Sequence, residues 1–419
     1  MTGRKIYLIR HGRPDFPLNE RLCLGKTDLP LGSIGRMQAL LLGEELKDKI
    51  TGGVYCSRLS RATETASYLS ENYTVTEGLE EADAGEWDGK NFEEIKKLYP
   101  ELYEKRGADG AVGIPGAEPT EDVLKRFRSA LDKLMSAADG DIAVVSHATA
   151  IGAFLADCSG NSPEAARQFR LPYGGYTIVE YTKDNRYLYD GAARMSGAGP
   201  APETARRPGV GTVPETAPLP GTGSTPETAP LPAAVSLPDT SPWAVTPEAK
   251  LPRPELTPEL CLKLQNAAGI NENIKKHCIA VSSEALRIAE DIETFAGIKN
   301  DRNLIESAAL LHDIARLEKH HEQTGGEYIR MLGYETVGSV IAQHDGPDSE
   351  EINEAAIVYI ADKLVKEERQ VTVEERYAMS LKKCRTPEAI EYHRIKKRQA
   401  VETAKRINSV CGREVIKIQ

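Results

Sequence analysis

The chain has 419 residues, a formal net charge of −10 and 40% hydrophobic residues. That length exceeds one ordinary domain and predicts two or three. The acidic balance disfavours nucleic acid as a partner, and no apolar run approaches the roughly 18 residues of a membrane-crossing helix. The seven cysteines are scattered and outside any CxxC pair, which argues against a disulfide framework and a zinc-thiolate site. The opening MTGRKIYLIRHG turns from apolar to charged too soon for a signal peptide. A cytoplasmic protein without membrane attachment is expected; oligomeric state has no signature in the sequence.

In residues 1–195 the pattern alternates. Ile6–Ile9, Gly53–Cys56, Ile142–Val145 and Thr177–Tyr181 predict strands, and Gly35–Lys49, Ser60–Ser70, Asn91–Leu98 and Glu121–Ala138 predict helices. Such alternation points to an α/β sandwich around a largely parallel sheet. Residues 196–256 are dominated by Pro, Ala, Gly and Thr and repeat themselves, from APETARRPGVGT at Ala201 through VPETAPLPGTGS at Val213 to TPETAPLPAAVS at Thr225. Each unit is proline-rich and has no large apolar face to bury, so a disordered linker with polyproline-II character is predicted. As a coil its ends would average roughly 45 Å apart, so it tethers its neighbours without joining their sites. Residues 257–419 read as helix after helix, with no convincing strand, and predict an all-α domain. Its tail from about Glu374 reads as a charged helix pair forming a solvated cap with some helical core contacts.

Ligands of open α/β sheets bind beyond the carboxyl ends of the strands. Three predicted strand ends deliver Arg10-His11-Gly12, Arg61 and His147. Two guanidiniums suit a phosphate as planar donors that stay charged. A neutral imidazole can attack phosphorus when its other nitrogen is held as a donor, and a second imidazole can stabilise the phosphoryl oxygens. Gly12 is expected to let a ligand approach the backbone. Each residue alone has a bland explanation; the set in order does not. LIRHG, GKTDLPLGSIGRMQA, SRLSRATETA, LEEADAGEWDG and VSHATAI occur in that order. Together they resemble the histidine phosphatase superfamily, with its phosphoglycerate-mutase-like fold, across about residues 4–192.

That resemblance implies a three-layer α/β domain needing no cofactor, with His11 as the nucleophile that becomes phosphohistidine. It makes Arg10, Arg61 and His147 the phosphate pocket and Glu81 the proton donor, with Glu80 and Glu86 as its rivals. It also makes Lys26 and Thr27 candidates for substrate binding. Ala148 stands where the family usually has Gly, and Arg13-Pro14-Asp15 where it often has a Glu-Thr-type stretch. These departures bear on the substrate, not the reaction. With no mutase-type insertion, a phosphatase of the α-ribazole-phosphatase-like group is expected.

Six of the eight histidines lie after residue 270. His277 falls on the stripe of Ile274, Val281, Ala285, Ile288 and Ile292. His312-Asp313 follow Ala308 and Leu311, His344 continues Val337 and Val340, and Asp362 lies with Ala355 and Tyr359. A buried carboxylate is costly unless paired or bound to metal, so this inward set points to a divalent cation. With N/O ligands and no thiolate, Mn, Fe, Mg or Co fit. The order His277, His312-Asp313, Asp362 resembles the HD phosphohydrolase superfamily over about residues 270–370, and LLHDIAR is close to its HDIG form. That resemblance adds His321 and His344, which either hold a second ion or contact substrate phosphate. His320 and His393 are expected at the surface.

The reading as a whole is a bifunctional phosphohydrolase acting on small phosphorylated metabolites. The first domain is a phosphomonoesterase. The second is a metal-dependent hydrolase of a nucleotide or coenzyme-like compound. The alternative is a phosphatase regulated by a nucleotide-sensing, non-catalytic HD module.

Overall fold

The computed structural model describes residues 3–189 and 250–419. Residues 196–249 of the predicted linker, with all of its repeats, lie outside the described residues.

The first strand, β1 (Arg4–Arg10), is buried from Ile6 onward. It pairs in parallel with the strand Ile142–Ser146 and antiparallel with the strand Tyr176–Tyr181. In chain order the remaining strands here are β2 (Val54–Cys56), β3 (Tyr73–Val75), β4 (Ile142–Ser146), β5 (Tyr176–Tyr181) and β6 (Tyr187–Leu188), and the sheet order is β3-β2-β4-β1-β5-β6. Thus β1 to β4 form the parallel part, and β5 and β6 make the sheet mixed.

Alternation along β1 builds the layers. Ile6 and Leu8 pack on one face with Phe127, Leu131, Phe154 and Leu155, from α5 (Thr120–Ala137) and α6 (Ala148–Cys158). Tyr7 and Ile9 pack on the other with Leu42, Leu46, Ala62 and Ala66, from α1 (Ser33–Leu46) and α2 (Ser60–Leu69). Between α2 and α5 the chain makes α3 (Phe92–Leu98) and α4 (Pro100–Ala108).

The C-terminal part is helical: α7 (Pro258–Ala268), α8 (Glu272–Ala296), α9 (Arg302–Leu311), α10 (His321–Met331), α11 (Glu335–Ile341), α12 (Glu354–Lys363), α13 (Val373–Leu381) and α14 (Pro387–Cys411). Short polar side chains start most of them: Thr257, Asn271, Asp301, Asn353, Thr372 and Thr386 each accept a first-turn N–H. One feature departs from the expected pattern. Val365–Lys366 and Arg369–Gln370 form a small hairpin, β7–β8, around Glu367 in a left-handed conformation; runs this short carry no periodicity to read. The tail makes the core contacts expected of it, through Ala400, Ala404, Ile407 and Cys411 of α14. Among the described residues no helix is long and apolar enough to cross a membrane.

The two parts also touch directly, which the tether reading did not foresee. Ile34, Met37 and Leu41 of α1 share a core with Leu260 and Leu264 of α7. Arg36 Nε donates to the Ala267 carbonyl (2.9 Å), and Lys263 pairs with Glu44 (2.9 Å). Lys250 exchanges backbone hydrogen bonds with Tyr176 of β5, and the Tyr334 hydroxyl donates to the Pro254 carbonyl (2.7 Å). Residues 250–256, assigned above to the linker, therefore dock on both parts.

Candidate functional site

The parallel strands β1 and β4 end side by side, with Arg10 in register with Ser146. Arg10, His11, Arg61 and His147 are all buried there. The His11 and His147 rings lie 4.9 Å apart between centroids. His11 Nδ1 meets the Gly12 carbonyl at 2.7 Å. A carbonyl only accepts, so Nδ1 carries the proton and Nε2 the lone pair. Burial, then Arg61 and Arg10, push the His11 imidazole well below its ordinary pKa. Burial, then His11, Arg61 and Arg10, do the same to His147. Both rings are therefore neutral near pH 7.

Arg61 reaches back under the 25–28 segment, donating to the carbonyls of Thr27 (2.8 Å) and Gly25 (2.9 Å). Arg10 donates to Leu171 (2.8 Å) and stacks on Tyr173 at 3.7 Å. Both His147 nitrogens and Arg61 Nε are buried without a hydrogen-bond partner. Buried polar atoms are normally satisfied, so these mark a space shaped for an anion. Glu81 is held at the start of α6, accepting from the N–H groups of Thr149 (3.1 Å) and Ala150 (3.2 Å). It lines the same cleft as Arg10 and His11, which encloses about 1150 Å³ with its open mouth.

Gly12 also has a packing reason to be glycine. A Cβ there would lie 2.3 Å from the Gly35 carbonyl, and one at Gly35 would lie 2.1 Å from the Arg13 carbonyl. The two glycines let the loop after β1 press against the first turn of α1. Of the two substrate candidates, Lys26 pairs with Asp83 (2.5 Å) and lines a neighbouring cavity. Thr27 acts through its carbonyl on Arg61. Glu80 braces Gly78 N–H (2.8 Å). Sequence reasoning missed Tyr173 and Arg126. Tyr173 sits 5.6 Å from the His11 ring, centroid to centroid. Arg126 donates to the carbonyls of Gly78, Glu80 and Glu81 at 3.0, 2.8 and 3.0 Å. Neither lies in a motif, and only the tertiary fold brings them in.

In the helical part, His277 (α8), His312-Asp313 (after α9), His321 (α10), His344 (after α11) and Asp362 (α12) converge. Three imidazoles have Nδ1 committed to a backbone carbonyl: His277 to Glu367 (3.0 Å), His312 to Ala309 (2.8 Å) and His344 to Ile341 (2.7 Å). Their Nε2 lone pairs face carboxylates. His277 Nε2 is 3.1 Å from Asp362 Oδ1, His312 Nε2 is 3.7 Å from Asp313 Oδ2, and His344 Nε2 is 3.8 Å from Asp313 Oδ1. Lone pair against carboxylate is repulsive unless a proton or a cation lies between. His312 Nε2 is buried with no partner.

The ligand atoms form two triads, His277-His312-Asp362 and Asp313-His321-His344, each within 4.8 Å. This N/O donor set fits a divalent cation. Asp313 offers one oxygen to each triad. In the second, Arg316 Nη1 donates to His321 Nε2 (2.5 Å), so an ion there requires Arg316 to withdraw.

Burial opposes charge on His277, but the Asp362 carboxylate prevails and raises it. Burial, then His312 and Lys363, push His344 down to about 3. Burial would raise Asp362, yet Lys363 and the neighbouring imidazoles hold it well below the usual carboxylate range. Lys363, absent from the sequence-derived set, donates to Asp362 Oδ2 (2.7 Å). His320 is exposed as expected. His393 is not a free surface residue: its ring packs on Tyr377 and meets the Ser380 hydroxyl at 2.8 Å.

Comparison with known proteins matches residues 6–190 to the histidine phosphatase superfamily (branch 1) and residues 274–366 to the HD domain. An uncharacterized phosphatase of Bacillus subtilis (strain 168) is 33% identical over 191 residues, covering 44% of this chain and 92% of that protein. A bifunctional protein of Mycobacterium tuberculosis (strain ATCC 25618 / H37Rv) is 28% identical over 189 residues, covering 44% of this chain and 52% of that protein. The solved mycobacterial glucosyl-3-phosphoglycerate phosphatase is 24% identical with a TM-score of 0.41, over 45% of this chain and 97% of that one.

Proposed function

This chain belongs to the histidine phosphatase superfamily and carries an HD domain, and from that premise we propose that its first site cleaves phosphomonoesters through a phosphohistidine on His11. The observation that carries this is the His11 tautomer: Nδ1 is tied to Gly12, which leaves Nε2 as the attacking lone pair. Arg10, Arg61 and His147 hold the phosphoryl oxygens. As the P–O bond to the alcohol breaks, Glu81 gives its proton to the leaving oxygen. Glu81 then takes a proton from the water that cleaves the P–N bond, freeing phosphate and restoring both groups. Rapid acid quench with a labelled phosphomonoester should trap label on His11; wild-type protein that turns over without a phosphoenzyme would refute the mechanism.

For the second site we read His277, His312, Asp313 and Asp362 as holding one divalent ion, with Asp313, His321 and His344 offering a place for another. Such an ion, when bound, polarises a phosphoryl oxygen as a Lewis acid. Lys363 orients Asp362, and the backbone carbonyls orient the imidazoles. Small phosphorylated metabolites are the substrate class for both sites, with a nucleotide or coenzyme-like phosphoester at the second. A regulatory role for the HD domain is a second reading, favoured by the packing of Leu18, beyond the His11 loop, and of α1 on the helical core. If added nucleotide changes the phosphatase rate of the full chain without being hydrolysed, the regulatory reading replaces the catalytic one.

A further inference from the structure

The two triads of the helical part meet at Asp313, yet their donor atoms stand in different company. In the first triad the neighbouring cations keep clear of the ligand atoms. Lys363 Nζ donates to Asp362 Oδ2 (2.7 Å), while His277 Nε2 (3.1 Å) and His312 Nε2 (3.9 Å) face the other oxygen, Oδ1. Arg376 Nη2 stands 3.9 Å from that Oδ1, beyond hydrogen-bond reach.

In the second triad a guanidinium sits among the donors. Arg316 Nη1 lies 2.5 Å from His321 Nε2 and 3.4 Å from Asp313 Oδ1. The same Oδ1 is 3.4 Å from His321 Nε2 and 3.8 Å from His344 Nε2. A guanidinium only donates, so Arg316 takes the His321 lone pair that an ion would use. The local chain sets this up. The Arg316 N–H donates to the Asp313 carbonyl (3.0 Å) in the turns that follow α9, which keeps the two side chains together. The Arg316 side chain is 48% exposed and that of Asp313 6%. The guanidinium therefore reaches in from the mouth of the site, and it can leave into solvent without disturbing the core.

The charge balance favours this guanidinium over a second ion. Asp313, Asp362 and Glu322, whose Oε1 is 3.3 Å from His321 Nε2, are matched by Arg316, Lys363 and Arg376. Asp345, next to His344, is paired with Lys396 (2.7 Å). One divalent ion in the first triad already leaves this centre positive. A second would enter against both that ion and Arg316.

We propose that Arg316 sets the ion number of the helical site. Its guanidinium is the resident cation of the Asp313-His321-His344 triad, so the domain holds one divalent ion, in the His277-His312-Asp362 triad. A second ion is taken only when that side chain is displaced. This rests on the metal reading of the second site above.

The test is the metal stoichiometry of the full chain, dialysed to equilibrium against Mn²⁺ and read by elemental analysis and electron paramagnetic resonance. Wild type should hold one tightly bound, magnetically isolated ion. Arg316→Met should hold two as a coupled pair, its second Kd tightened by about tenfold or more. Adding His321→Ala to that variant should return it to one ion, which locates the second. Arg316→Gln serves as the alternative variant if Arg316→Met loses its helical circular dichroism. A wild type that binds two ions tightly, or folded Arg316 variants that still bind one, would overturn the proposal. A wild type that binds no ion, or whose ion survives His312→Ala with Asp313→Ala, sinks the parent metal reading instead.

Discussion

In the first site His11 and His147 share their burial with Arg10 and Arg61; in the second His277, His312 and His344 share theirs with Asp313 and Asp362. The residue type is the same and the company is opposite. Guanidiniums around neutral imidazoles leave a space that an anion completes. Carboxylates facing imidazole lone pairs leave a space that a cation completes. Burial, then the arginines, push His11 down, and burial also pushes His344 down in the second site, while Asp362 overcomes burial to raise His277. Histidine content alone therefore says little about chemistry, and the sign of the surrounding charge says much.

The contrast breaks most sharply at the nucleophile. His11→Asn should lower phosphatase turnover by on the order of 10⁴ or more and abolish trapped phosphoenzyme. Metal content, measured by elemental analysis, should not change. The converse change, His312→Ala with Asp313→Ala, should remove bound divalent metal and metal-stimulated hydrolysis while p-nitrophenyl phosphate turnover persists; retention of stoichiometric metal would show that the ligands are misassigned.

A smaller effect is expected one step back from the chemistry. Arg126→Met frees the carbonyls of Gly78, Glu80 and Glu81, so kcat should fall about 10- to 100-fold through misplacement of Glu81. KM should change little, and Arg126→Lys should restore part of the rate. The next effect is on pH dependence. His11 and His147 have native pKa values well below the ordinary imidazole value. Below about pH 6.5 the unfolded chain binds protons that the native state refuses, so their contribution is present above that pH and lost as pH falls. Denaturant titrations at pH 7.5 and 5.5 should show a larger acid loss for wild type than for His147→Asn. Smallest is Arg36→Ala, which removes the hydrogen bond to Ala267 between the two parts. It should cost about 1 kcal/mol and separate the two thermal unfolding transitions slightly in calorimetry.

Much of this was legible along the chain. The apolar run Ile6-Tyr7-Leu8-Ile9 indicated a strand, and the strand-end positions of Arg10, His11, Arg61 and His147 indicated where a ligand binds. Helical spacing put His277, His312, Asp313 and Asp362 on inward faces. Periodicity reports the face on which a side chain lies; His277 and Asp362 sit on helices, and His312-Asp313 directly follow one. The hairpin at Val365–Gln370 escaped because two-residue strands have no period. Arg126, Tyr173 and Lys363 escaped because their roles depend on what long-range packing sets beside them.

By itself the sequence determined the element types, the two histidine-rich regions and the family resemblance, because these rest on local spacing and residue chemistry. Tertiary structure decided the rest. It showed Gly12 and Gly35 to be a packing contact between loop and helix. It divided the second set of ligands into two triads joined at Asp313. It placed α1 against α7, where the sequence offered only a tether. Those outcomes depend on distances between residues remote in the chain, and no local pattern encodes them.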